Sequence, residues 1–132
     1  AVARQMFEEA VPLDPENPLA YTMLGWTHVL DVWFGSSESP EKSMERASEL
    51  AQKAIALDET QDYAHSLLGH IFLMIRQYEK AIAEGERAVA LNPNGADAHA
   101  HFAMTLDYVD RPEEAIASFK KAMRLNPMPP NW

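Results

Sequence analysis

The chain has 132 residues, 47% of them apolar, which is enough to bury the core of about one domain. Eleven basic against 20 acidic residues give a formal charge of −9, and the basic residues are interspersed with glutamates, which argues against nucleic acid or anionic membrane as partners. The absence of cysteine excludes disulfides and thiolate-ligated metals, and no apolar run approaches the ~20 residues of a membrane span, so we expect a soluble protein with the cytoplasm as its default location.

Helical patterns and turn signals alternate from the start of the chain. Residues 1–17 are predicted to be a second helix of a partial repeat that ends at Asp14-Pro15, because proline disfavours helical geometry in the residue before it. The next segment, LAYTMLGWTHVLDVWF, has apolar residues at steps of three and four, which indicates a helix. Ser39-Pro40-Glu41 then begins a further helix, with proline in the first turn and an acidic residue near the positive end of the dipole.

The same alternation continues to the end of the chain. YAHSLLGHIFLMI and DAHAHFAMTLDYV carry the apolar spacing of helices, and each is followed by a similar partner. These partners are YEKAIAEGERAVALNP and PEEAIASFKKAMRLNP, in which Ala81 and Ala115 coincide at an offset of 34 residues. The sequence therefore predicts an all-α protein of alternating helices and short turns.

The 34-residue period divides the chain into units. The expected units are residues 18–61, 62–95 and 96–129, with the start of a further repeat at 130–132. In the first of them Ala47 comes about ten residues too late relative to the unit's start, so DVWFGSSESP is interpreted as an insertion that lengthens both helices. Because one pair of antiparallel helices cannot bury its apolar face alone, successive pairs are expected to stack.

These residues resemble the tetratricopeptide repeat family. Within one unit the resemblance rests on Leu68-Gly69, Phe72, Ala81, Ala88 and Pro93. It implies a right-handed superhelix whose first helices line a concave groove, and a non-catalytic protein-binding scaffold. The strings GWTHVLDVWFG and ERASELAQKAIALD, together with the two later partner segments, also resemble the repeat arrays attached to bacterial class III adenylate/guanylate cyclases, which implies a regulatory region without the catalytic domain.

The family resemblance also implies which side chains face the groove. They are Trp26, Val29, Leu30, Tyr63, Ser66, His70, Leu73, Met74, Asp97, Ala100, Met104, Asp107 and Tyr108. This mixture of apolar and aromatic residues with a few acids suits an apolar or amphipathic segment of a partner, rather than the carboxylate end that other family members clamp with lysine and asparagine. The alternative is that several of these side chains pack against the neighbouring repeat.

The insertion carries an aromatic pair. Trp33 and Phe34 are expected either at a protruding tip that anchors a partner or folded back on their own helix pair. An alternative function follows from the tip and the open ends of the array, which would hold a homo-oligomer together.

No catalytic residue, metal ligand or cofactor site is predicted. His65/His70 are five residues apart and His99/His101 two apart, which places each pair on diverging faces rather than at the four-residue spacing of helical zinc ligands. Glutamate pairs lie in polar surroundings that create no division between acid and base. Gly85, in the middle of a helix, is expected to admit a bulky neighbour, for which Phe72 of the same unit is the candidate.

Overall fold

The computed structural model describes residues 2–127, and all regular secondary structure in that range is α-helical. The seven helices are α1 (Val2–Leu13), α2 (Pro18–Trp33), α3 (Pro40–Leu57), α4 (Asp62–Met74), α5 (Tyr78–Leu91), α6 (Ala96–Tyr108) and α7 (Pro112–Leu125). The predicted all-α class is confirmed. The expected start of a further repeat at 130–132 lies outside the described residues.

Helix starts follow the turn chemistry of the sequence. Pro18, Pro40 and Pro112 each occupy the first turn of a helix, where the missing N–H removes no intrahelical hydrogen bond. The Asn17 side chain caps α2 by accepting a hydrogen bond from the Leu19 N–H at 3.0 Å. The second helices α1, α5 and α7 end two residues before Pro15, Pro93 and Pro127.

Between residues 2 and 127, no helix combines the length and the apolar character that crossing a membrane would require.

The first helices α2, α4 and α6 all end in the same left-handed turn. Gly35, Arg76 and Asp110 have φ of 73°, 63° and 62°, and each lies two residues beyond the last helical residue. After α4, the Gln77 N–H donates to the Phe72 carbonyl at 2.8 Å and the Arg76 N–H donates to the Leu73 carbonyl at 3.1 Å. These are the two bonds of a Schellman motif, and they recur after α2 and α6.

The insertion lengthens one hairpin. Helices α2 and α3 have 16 and 18 residues, whereas α4 and α5 have 13 and 14. Ala47 of α3 and Ala81 of α5 occupy equivalent positions, yet α3 begins at Pro40 and α5 begins at Tyr78. The additional turn of α3 is therefore at its N-terminal end.

Small residues allow the helices to approach one another. Ala47, Ala51 and Ala54 of α3 are completely buried, as are Ala81 and Ala88 of α5. Larger side chains from the first helices, including Val29 and Leu67, fill the space that these alanines leave. The core is thus a continuous layer between first and second helices.

The array is curved toward its first helices. Helix α2 contacts α4, and α4 contacts α6, in addition to the contacts within each hairpin. Within residues 2–127 there is no corresponding contact between α3 and α5 or between α5 and α7. Because the first helices are the closer set, they line the concave side.

Gly85 has a different neighbour from the one predicted. The bulky side chain at this position is Phe102 of α6, not Phe72 of the same unit: a Cβ added to Gly85 would lie 2.5 Å from Phe102 Cδ1. The sequence correctly indicated a close approach, but the ring comes from the following hairpin. Gly85 is thus a contact between units.

Candidate functional site: a protein-binding groove

The centre of the concave side holds three aromatic rings in mutual contact. The ring centroid of Trp26, from α2, lies 5.0 Å from that of His101 on α6 in a stacked arrangement and 5.1 Å from that of His70 on α4 in an edge contact. Trp26 therefore reaches across α4 to contact α6, although the backbones of α2 and α6 are not in contact. We call Trp26, His70 and His101 the ring cluster.

The two imidazoles of the ring cluster are hydrogen-bonded to each other. His70 Nε2 and His101 Nδ1 are 3.1 Å apart, so one nitrogen donates and the other accepts. Burial, with a smaller contribution from His101, lowers the pKa of His70 to about 4, and burial also lowers the pKa of His101. Both rings are consequently neutral near pH 7. His70 Nδ1 is buried and has no hydrogen-bond partner among the residues described.

A small apolar pocket opens beside the ring cluster. Trp33, Leu73, Met74 and Tyr108 line a cavity of about 200 Å³ at the C-terminal ends of α2, α4 and α6. We call it the groove pocket. Tyr108 is 66% exposed, whereas Leu73 is buried and forms the floor. Aromatic and thioether side chains of this kind offer a large and adaptable apolar surface.

The other end of the concave side is polar. The Tyr63 hydroxyl donates a hydrogen bond of 2.8 Å to Asp97 Oδ2, and these residues occupy equivalent positions in neighbouring units. The same hydrogen bond is the main cause of a raised Tyr63 pKa. The groove therefore changes from an acidic end to an apolar end over the length of the first helices.

The predicted groove residues differ in what they present to solvent. Val29, Ser66, His70 and Leu73 are buried, so they shape the groove and offer little contact surface. The residues that present at least part of their surface are Trp26, Leu30, Tyr63, Met74, Asp97, Ala100, Met104, Asp107 and Tyr108. Packing between repeats thus accounts for the first group, and a partner's contact with the second group stays a prediction.

The two aromatic residues of the insertion, Trp33 and Phe34, lie in different environments. Trp33 is 45% exposed, and its ring lies 6.0 Å from the His70 ring, so it packs across the concave side rather than on its own hairpin. Phe34 is 79% exposed. Of the two expected positions, Phe34 takes the protruding one, and Trp33 becomes a wall of the groove pocket.

His101 and Trp33 are the groove residues that sequence reasoning missed. His101 was compared only with His99 on its own helix, whereas its partner His70 comes from the preceding unit. The repeat pattern could have indicated this pair, since side chains of successive first helices converge on the concave side. His65 and His99, at equivalent positions, are both buried, and each donates through Nε2 to a carbonyl six residues earlier at 2.8 Å.

Two other kinds of site receive less support. A cavity of about 570 Å³ lies between α1, α2 and α3, but it is polar, and Arg4 there is already paired with Asp31. The hydroxyls of Ser37 and Ser43 in its wall bond to each other at 2.7 Å. Among residues 2–127, no group of three or more His, Asp or Glu side chains is arranged to hold a metal ion.

The fold and the groove define the class of protein as an α-solenoid built from stacked helical hairpins. Residues 96–127 match the family model of the tetratricopeptide repeat. The last hairpin is therefore a tetratricopeptide repeat, and the described chain as a whole has the tetratricopeptide repeat fold. No curated protein sequence matches the chain.

Solved structures support the same fold. The chain is 27% identical to MamA with a TM-score of 0.63, and the match covers 94% of this chain and 67% of that one. A thermophilic TPR protein from Thermus thermophilus is 20% identical with a TM-score of 0.80, over 95% and 64% of the two chains. MamA MSR-1 is 24% identical with a TM-score of 0.60, over 93% and 65%. The chain spans about two thirds of the length of these proteins.

Proposed function

We propose that this chain is a non-catalytic scaffold that binds an apolar or amphipathic segment of another protein along its concave groove. The observation that supports the proposal most directly is the groove pocket, whose lining is apolar and whose Tyr108 side chain is exposed. A repeat array with one open concave side is suited to binding an extended or helical partner.

The groove favours particular chemistry in its partner. An apolar anchor would contact Met74 and Tyr108, and it would displace water from surfaces that are already largely apolar. At the opposite end, Asp97 favours a neutral or cationic flank. The ring cluster between the two ends is preformed, so binding requires little ordering of the groove.

A peptide selection tests this function. Peptides that bind the purified chain would be selected from a random library and measured by calorimetry against the wild type and Tyr108→Ser. We expect selected peptides to be rich in apolar residues and to lose about tenfold or more in affinity with Tyr108→Ser. Tyr78→Ser is the matched control, since Tyr78 is also an exposed tyrosine but does not line the groove pocket. Equal losses in the two variants, or selected peptides without apolar residues, would contradict the proposal.

Self-association is a second candidate function. It is favoured by an apolar stripe on α7, where Ile116, Phe119 and Met123 are exposed at steps of three and four residues. Such a stripe can be covered by another copy of the chain, in which case the protein would serve as an architectural element.

We also propose that the array belongs to a larger regulatory protein that contains a bacterial nucleotide cyclase. The support is the sequence resemblance of the insertion-containing unit and the later second helices to such arrays. Reading the coding frame on both sides of this segment tests the proposal directly. A frame without a cyclase domain would end it.

A further inference from the structure

A second apolar groove lies outside the concave side and results from the insertion. The additional N-terminal turn of α3 extends past the hairpin of α4 and α5 and leaves a cavity of about 470 Å³. Its apolar lining comes from Val32 of α2, Met44 of α3, Ile71 and Met74 of α4, and Ile75, which directly follows α4. We call it the overhang groove.

The lining of the overhang groove is accessible. Ile75 is 46% exposed although it is a large aliphatic residue, and Val32, Met44 and Met74 are only partly buried. Met74 also lines the groove pocket, so the two cavities adjoin at this side chain. A contiguous apolar surface of this kind indicates an interaction site, whereas single exposed apolar side chains do not.

The rim of the overhang groove is acidic. Glu41 and Glu45 lie one helical turn apart on the face of α3 that carries Met44, and both line the cavity. No Lys, Arg or His side chain within residues 2–127 forms an ion pair with either carboxylate. Two like charges at this spacing repel each other, and a cation placed between them would remove that repulsion.

We propose that the overhang groove is a separate docking site for an amphipathic helix of a partner protein that carries lysine or arginine beside its apolar face. Apolar side chains of that helix would cover Ile75 and Met44, and its cations would lie between Glu41 and Glu45. The acidic rim selects against helices flanked by aspartate or glutamate, so charge determines which amphipathic helices bind. Among residues 2–127, Met74 is the one lining residue that the overhang groove shares with the groove pocket.

The test uses two designed amphipathic peptides of about 18 residues, long enough to form a helix. They share the same leucine positions, and one is flanked by lysine and the other by glutamate. We expect the lysine peptide to bind the intact chain at least about tenfold more tightly than the glutamate peptide in calorimetry at moderate salt. Ile75→Asp, and separately Glu41→Lys with Glu45→Lys, should each lower that affinity about tenfold or more.

Matched variants separate this site from general attraction to an acidic protein. Leu13→Asp removes an exposed apolar residue from α1, and Glu79→Lys with Glu86→Lys on α5 makes the same change in net charge as the paired substitutions at the rim. Both should bind the lysine peptide within about twofold of the wild type. The paired Glu→Lys substitutions lie on the helix surface, so they test the site even if Ile75→Asp does not fold.

Several results would overturn the proposal. Equal affinity for the two peptides would show that the rim does not select by charge, and equal losses in the control variants would show non-specific attraction. Loss of binding in Tyr108→Asp with binding retained in Ile75→Asp would place the peptide in the concave groove instead. If the chain self-associates and Ile75→Asp makes it monomeric, the occupant is a second copy rather than a partner.

Discussion

At the residue scale, Gly85 shows how closely neighbouring units are fitted. An alanine there would place its Cβ 2.5 Å from Cδ1 and 3.2 Å from Cε1 of Phe102. Alanine favours the helix by about 1 kcal/mol, but overpacking against an aromatic ring costs about 1–3 kcal/mol. We expect Gly85→Ala to lower the urea midpoint of unfolding. The double variant with Phe102→Leu should recover the loss, whereas a higher midpoint for Gly85→Ala alone would show that the ring moves freely.

Acid is expected to destabilise the fold through His70. Burial, and then the nearby His101, lower the pKa of His70 from 6.5 to about 4, so the unfolded chain binds this proton more readily than the folded chain. The contribution of His70 to stability is therefore complete above pH 6.5 and is lost as the pH falls toward 4. The loss is on the order of 3 kcal/mol. The free energy of unfolding, measured in urea, should fall less steeply over this range in His70→Gln.

His65 is the control because its pKa moves in the opposite direction. The hydrogen bond to Glu84, which is 2.7 Å long, raises the pKa of His65. Its contribution is present below pH 6.5 and is lost as the pH rises through the raised value. His65→Gln should therefore change the slope on the alkaline side of pH 6.5 and leave the slope toward pH 4 intact. If His70→Gln declines as steeply as the wild type in acid, His70 is not responsible.

At the element scale, the three left-handed turns each carry an unfavourable backbone conformation that the fold tolerates. The left-handed conformation costs an L-residue about 1–2 kcal/mol, and only the first of these turns has glycine. We expect Arg76→Gly to raise the free energy of unfolding by about 0.5–1 kcal/mol, since part of the gain is offset by the greater freedom of glycine in the unfolded chain. Thermal and urea unfolding measure the change.

Neighbouring positions provide the comparison for Arg76. Gly35→Ala should be destabilising, because alanine at a φ of 73° is strained. Asp110→Gly should stabilise less than Arg76→Gly, because aspartate tolerates this conformation better than arginine. A loss of stability in Arg76→Gly would mean that the Arg76 side chain makes a contribution larger than the backbone strain.

The bounds of the helices could be predicted from the sequence more completely than the side-chain contacts between them. Proline at helix starts, and two residues beyond the ends of second helices, gave reliable boundaries because its effect is local. The insertion was also detectable, since Ala47 is displaced from the period. The contact between Phe102 and Gly85 could not be predicted, because a repeat period shows which positions are equivalent but not which aromatic ring packs against a given glycine. The overhang groove was likewise missed, since it depends on how far one hairpin extends past the next.

At the scale of the whole molecule, the uncovered stripe on α7 predicts self-association. At the equivalent place on α5, Gly85 receives Phe102 of the next hairpin, whereas Phe119 of α7 is exposed. We expect Phe119→Ser with Met123→Asp to shift the average mass toward that of a monomer in sedimentation over micromolar concentrations. Tyr108→Asp serves as the control on the concave side. A wild-type chain that is monomeric throughout the range would contradict the self-association hypothesis.

The concave site was only partly accessible from sequence. The resemblance implied which helix positions face inward, and Met74, Tyr108 and Leu73 do line the groove pocket. The resemblance did not distinguish groove positions that are buried from groove positions that are exposed to a partner. Val29 and His70, for example, are covered by neighbouring side chains. That distinction depends on the curvature of the array, which arises from many contacts of small residues along the chain.

Trp26 gives this curvature an intrinsic optical signal. Its indole is held between α4 and α6 by two imidazoles, although the backbones of α2 and α6 are not in contact. Any straightening of the solenoid separates the indole from His101 before a hairpin has to unfold. The chain has three tryptophans, so with Trp33 and Trp132 replaced, the emission of Trp26 would report whether a bound ligand changes the bend of the array.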